Sequence, residues 1–225
     1  FSALETVQLA LRLHPDTKEI FVINDYLKTG RAWAKDIDMA LHPLGDKIQI
    51  RHSSNLPIEN LRKEIAELKP NTLILLGVYF SDSEGQYYTY ERIGGLLSES
   101  SNVPVYCLLE FNVGRGVVGG KVISGYYQGK AMAEIGSRIL QGTDPDVIPV
   151  LKQGVNRTVF NFNQLRRFSI DESLLPPASD IINRPFSFYS EYKTQIWMII
   201  AFVVVLLLSI AGLALNISRR IKAEQ

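Results

Sequence analysis

The sequence predicts an α/β fold on a parallel sheet, followed by one membrane-spanning helix. Three observations predict this. Residues 196–215 read IWMIIAFVVVLLLSIAGLAL, an apolar run without a charge. About twenty such residues at ~1.5 Å each cross the ~30 Å hydrocarbon core of a bilayer. The residues before it alternate helical and strand patterns about four times, the signature of a parallel sheet with helices on both faces. The segment TLILLGVYF is continuously apolar, as a strand covered on both sides requires.

The elements follow in order. SALETVQLALRLHP opens with Ser2 and Glu5 in capping-box spacing, carries Leu4, Val7 and Leu11 on one stripe, and stops at Pro15. EIFVIN is a short apolar strand. Thr29 is placed to cap GRAWAKDIDMALHPLG, where Trp33, Ile37, Ala40, Leu41 and Leu44 share a face. KIQIRHS alternates as a strand. PIENLRKEIAELKP is a helix, with Pro57 at its start and Pro70 past its end. After TLILLGVYF, DSEGQYY reads as a turn or small hairpin. YERIGGLLSESS is a weaker helix because of Gly94 and Gly95. VPVYCLLEF is the next buried strand.

After Phe111 the texture changes. NVGRGVVGGKVISG has no helical period and reads as a hinge or crossover. SGYYQGKAMAEIGSRILQG is a helix with Ser124 near its cap and Gly142 after its end. From Thr143 to Tyr192 the patterns are short and irregular, with NQLRRF as a helical turn and LLPPAS as a stop. The apolar run comes next, flanked before by Phe186, Phe188, Tyr189, Tyr192 and Trp197, which suit an interfacial belt. Arg219, Arg220 and Lys222 follow it and mark the cytoplasmic side, which puts the large domain outside. A tail anchor would reverse that arrangement. The stub is expected to prolong the membrane helix. Ser209, Ala211 and Gly212 offer a weak small-residue seam for a dimer.

The bulk numbers exclude several classes. With 225 residues and a formal charge of +1, there is no basic excess to suggest nucleic acid. The single cysteine, Cys107, excludes an internal disulfide and reads as a small buried hydrophobe. His14, His42 and His52 are isolated, lack metal-ligand spacing and read as surface or capping residues. The glycines of GRGVVGG make no dinucleotide fingerprint, and no phosphate loop or nucleophile elbow occurs. No cofactor, metal or catalytic residue is expected, and this segment is not expected to be an enzyme. The chain opens at Phe1 without an initiator methionine. It is therefore expected to be part of a longer protein, with any export signal upstream.

In an open α/β sheet ligands bind beyond the carboxyl ends of the strands. Three strand exits carry polar or aromatic groups: Asn24–Asp25–Tyr26, Gly77–Val78–Tyr79–Phe80, and Glu110–Phe111–Asn112. The expected ligand-binding residues are Asp25, Tyr79, Phe80, Glu110 and Phe111. Aromatic faces with one or two carboxylates suit a small polar or amine-bearing molecule. The alternative is that Asp25 and Asn24 only cap the next helix while Tyr79 and Phe80 only pack under a loop.

LALRLHPDTKEIFVINDYLKTGR, NTLILLGVYFSDSEG and VPVYCLLEFNVGRGVVGGKVISGYYQGKAMAEIGSRILQG resemble the substrate-binding proteins of ABC transporters. The branch resembled is the membrane-bound periplasmic-binding-protein type found in bacterial signalling proteins, to which NQLRRFSIDESLLPPASDIINRPFSFYSEY also is similar. The resemblance implies two Rossmann-like lobes around a cleft. Residues 1–104 would supply the second lobe, and 105–192 the crossover and the C-terminal part of an incomplete first lobe. Residues 193–218 would be the membrane helix and 219–225 a cytoplasmic stub. The implied function is small-molecule sensing in the periplasm by an inner-membrane receptor, a homodimeric sensor histidine kinase of a two-component system. The alternatives are a diguanylate cyclase sensor and a membrane-anchored component of an ABC transporter. A tail-anchored α/β enzyme is the rival from another class.

Overall fold

The computed structural model describes residues 2–151 and 154–223. The chain divides into two units, 1–184 and 185–225. The first unit is built on one sheet of seven strands: β1 (Glu19–Ile23), β2 (Gln49–His52), β3 (Thr72–Leu76), β4 (Val105–Cys107), β5 (Gly119–Ile123), β6 (Asn156–Asn161) and β7 (Asp180–Ile182). Their spatial order is β2-β1-β3-β4-β5-β6-β7. The first five are mutually parallel, β6 runs antiparallel to β5, and β7 is parallel to β6.

Alternation along the central strands distributes the apolar side chains between two cores. Ile20, Val22, Leu73, Leu75 and Tyr106 face one layer, with Val7 and Leu13 of α1 (Ala3–Leu13) and Ile37 and Leu41 of α2 (Lys28–Leu41). Leu165 of α6 (Phe162–Arg167) completes that layer. Phe21, Ile23, Ile74, Leu76 and Cys107 face the other, with Leu61 and Ile65 of α3 (Ile58–Ala66) and Ile93 and Leu97 of α4 (Tyr90–Ser100). Period-two strands between 3.6-period helices give this three-layer arrangement. Cys107 is fully buried, and burial pushes its thiol up to about 12, as expected for a cysteine used as a small hydrophobe.

Beyond residue 104, β4 and β5 continue the same sheet beside β3. Several expectations change. The glycine-rich stretch contains a strand rather than only a crossover. A Cβ on Gly119 would stand 1.9 Å from the Val159 carbonyl, so the β5–β6 pairing itself requires glycine there. Thr29 does not cap α2, which starts one residue earlier behind Leu27. Ser2 precedes α1 without a side-chain cap bond; its hydroxyl accepts from the Asn156 Nδ2 at 2.9 Å. His14 is not a free surface residue. Its Nε2 lies 3.0 Å from the Tyr106 hydroxyl, and burial lowers its basicity.

Between β5 and β6 lies α5 (Gly125–Leu140), capped by the Ser124 hydroxyl, which accepts from the Tyr127 amide. None of its residues is buried. Met132 is 72% exposed and Leu140 90% exposed, an unusual state for apolar residues of a sixteen-residue helix.

The second unit is dominated by α7 (Phe188–Ala223), bent at Tyr192, where the Phe188 and Tyr192 rings pack 4.7 Å apart. Among the described residues it is the one helix long and apolar enough to cross a membrane, over Glu191–Arg219. It passes through Arg219 without a break, as expected of a helical stub; Glu224 and Gln225 lie outside the described residues.

Candidate functional site

The chain places β2 to one side of β1 and β3 to the other, so the strand order reverses between β1 and β3. In open α/β sheets the crevice at such a point receives ligands. Asn24 and Asp25 leave β1 here and tie the two exits together. The Asn24 Oδ1 accepts from the Val78 amide at 2.9 Å, and the Asp25 amide donates to the Val78 carbonyl at 2.8 Å. A Cβ on Gly77 would fall 2.1 Å from the Asn24 Oδ1, so glycine lets the strands approach this closely. The Asp25 carboxylate accepts from the Leu27 amide at 3.1 Å and from the Phe80 amide at 2.7 Å.

Asp25 is thus buried with both oxygens engaged, and it acts first on the loops. Tyr79, also expected to touch ligand, turns into the core beside α3 and α4 and packs 6.2 Å from Tyr88. Burial, together with the nearby Asp82 charge, pushes its hydroxyl well above the usual tyrosine range. Within the fold, Asp25 serves as an acceptor for two backbone amides and Tyr79 fills the core.

Phe80, Glu110 and Phe111 lie at the edge. The Phe80 ring meets Tyr90 edge-on at 4.8 Å, and Tyr90 stacks on Phe111 at 5.3 Å with 24° between planes. Phe111 stays 52% exposed, leaving one aromatic surface open. Tyr90 was not among the expected residues. It starts α4, and only the fold carries it between two strand exits. Glu110 pairs with Arg157 at 3.2 Å, and Arg157 also holds Asp180 at 3.1 Å. Arg157 reaches this edge because β6 is antiparallel and begins where β5 ends; it too was missed. The Glu110 charge is therefore shared with a cation of the protein.

The loop carrying Phe80 is fastened by Asp82. Its Oδ1 accepts from the Glu84 and Gln86 amides, both at 3.0 Å, and its Oδ2 from the Ile58 amide at 3.2 Å and the Tyr88 hydroxyl at 2.9 Å. Burial alone raises a carboxyl pKa, but these four donors outweigh it and hold Asp82 below the usual carboxylate range. On the β2 side of Asp25 lies a cavity of about 330 Å³ between α2 and the exits of β1 and β2. Among the described residues no group of three or more His, Cys, Asp or Glu side chains is arranged to hold a metal ion.

No family model matches the chain, and no curated protein matches it. Solved structures do. A conserved domain protein from Vibrio cholerae matches with a TM-score of 0.56 at 18% identity, over 80% of this chain and 60% of its own. A substrate binding protein with adhesive properties from Clostridium difficile, in its ligand-free, open structure, matches at 0.58 and 15%, over 80% and 59%. An ABC domain in complex with L-Trp from Streptococcus pneumoniae matches at 0.56 and 16%, over 80% and 60%. The fold is that of substrate-binding proteins. The chain spans about three fifths of the length of these neighbours, and the likeness is one of fold.

Proposed function

We propose that residues 1–184 are the periplasmic, small-molecule-sensing region of a bacterial inner-membrane receptor, and that the receptor is a homodimeric sensor histidine kinase. The observation that carries the reading is a substrate-binding-protein fold, with an open aromatic edge at the exits of β3 and β4 beside its switch point, in one chain with a helix able to cross a membrane. The ligand lies on Phe80, Tyr90 and Phe111 with Glu110 at its margin, while Asp25 and Tyr79 hold the loops behind them. Flat or cationic groups suit such a surface. The Arg219–Lys222 segment supports a cytoplasmic C-terminus.

In a two-lobed receptor this unit is one lobe. The excursion between β5 and β6, with an α5 that buries nothing, then meets the other lobe, which the longer neighbours have length to supply. Ligand closes the lobes, and the closure moves α7.

The experiment is ATP-dependent autophosphorylation of the full-length protein in oriented inner-membrane vesicles. A ligand selected by thermal-shift screening should change the rate several-fold, and Phe111→Ala should abolish the change. Labelling of a cysteine at Lys130 only from the cytoplasmic side would overturn the topology. A second reading, a membrane-anchored substrate-binding component of an uptake system, is favoured by the solute-binding neighbours themselves. It predicts ligand-dependent transport and no phosphorylation.

A further inference from the structure

The loop that carries Phe111 is also tied to the last strand of the sheet. Arg157 of β6 makes the first tie. One of its terminal nitrogens lies 3.2 Å from the Glu110 carboxylate, and the other 3.1 Å from that of Asp180, the first residue of β7. The Arg157 Nε is buried and has no hydrogen-bond partner among the described residues. The two carboxylates therefore fix the guanidinium, with the Tyr127 ring 5.8 Å from it. A planar fork with one prong on each acid joins the two segments through a single group. Gly114 makes the second tie. Its carbonyl accepts from the Asn183 Nδ2 at 3.4 Å, and a Cβ on it would stand 3.1 Å from the Ile182 Cδ1. With a backbone φ of +92°, glycine here admits both the turn and the close approach of β7.

Beyond β7 the chain leads to the membrane helix. Ile182 ends β7, Asn183 turns in the left-handed region at φ +57°, and Phe188 opens α7. Among the described residues, β7 is three residues long and pairs only with β6. Short edge strands open at lower free energy than central ones. Residues 110–114 thus carry the aromatic surface and also hold the segment that leads to α7. We propose that the Glu110–Arg157–Asp180 bridge, with the Gly114–Asn183 contact, is the latch through which occupation of the Phe111 edge reaches α7. Its input rests on the reading of that edge as a ligand site. A cationic group that takes the Glu110 carboxylate competes with Arg157 for it and so loosens β7. By linkage, a loosened β7 frees Glu110 for that group.

The test needs no ligand. Hydrogen–deuterium exchange of the full-length protein in detergent is read in residues 110–114 and 180–189, for Glu110→Gln, Asp180→Asn and the double variant. All three side chains of the bridge are partly exposed, so these isosteric changes leave the core intact. Glu110→Gln should speed exchange about threefold in 180–189 as well as in its own loop, the scale of a partly exposed ion pair. Asp180→Asn should do the same in 110–114. The double variant should fall short of the product of the single effects, since both cut one bridge. Glu59→Gln, which breaks the exposed Glu59–Arg62 pair on α3, should change neither segment. Coupling is reciprocal. Effects confined to the substituted segment, effects that cross in one direction only, effects that multiply, or an equal response to Glu59→Gln would each overturn the proposal. A latch that passes in a protein whose Phe111 edge binds nothing removes the sensing reading alone. A latch that fails leaves that reading standing and removes only this route.

Discussion

At the scale of single residues, the edge is held by two carboxylates that no ligand needs to touch. Asp25 and Asp82 together accept from five backbone amides and one hydroxyl across three segments. Replacing Asp25 by Ala strands the Leu27 and Phe80 amides and should cost about 1–3 kcal/mol in urea unfolding. Asp82 adds a pH signature. Its folded pKa lies below the unfolded value, so its contribution is complete above the unfolded carboxylate pKa and is lost as pH falls through the folded one. Asp82→Asn should therefore be less stable than the wild type near pH ~7, and the gap should shrink as pH falls below about 4. A gap independent of pH would mean that shape, not charge, holds the loop. Phe80 and Phe111 were legible because they end apolar strands. Tyr90 and Arg157 were not, because a helix start and a distant antiparallel strand bring them there, and nothing local in EFN or TVF announces that meeting.

At the scale of elements, the parallel half of the sheet reads directly from runs such as EIFVI and TLILL, whose neighbours in sequence are helices of clear period. The second half does not. The strand β5 opens with two glycines, β6 starts with Asn156–Arg157–Thr158, and β7 has three residues, so long-range pairing rather than local pattern makes them strands. Gly119→Ala should cost about 3 kcal/mol or more, because the added Cβ meets the Val159 carbonyl at a backbone φ of +136°. Gly129→Ala on α5 has nothing within 4 Å and should gain up to about 1 kcal/mol from helix propensity. Chemical denaturation of the two variants checks both signs, and equal effects would place β5 wrongly.

At the scale of the whole molecule, the fold class and the apolar C-terminal helix were readable. Which strands share a sheet was not, because β4 and β5 carry no local mark of belonging with β3. The helix α5 bears on the proposed second lobe. If a second lobe covers Met132 and Leu140 in the full-length protein, single cysteines there should react with a maleimide at least about tenfold more slowly than one at Lys130. Equal rates would leave α5 uncovered and remove the support for two lobes. The central claim, that the aromatic edge at the exits of β3 and β4 binds a small molecule, is tested most directly by hydrogen–deuterium exchange of the full-length protein with and without a ligand selected by thermal shift. The account predicts slowed exchange in residues 78–82 and 110–114, lost in Phe111→Ala. Protection confined to segments away from these strand exits, and unchanged by Phe111→Ala, would contradict it.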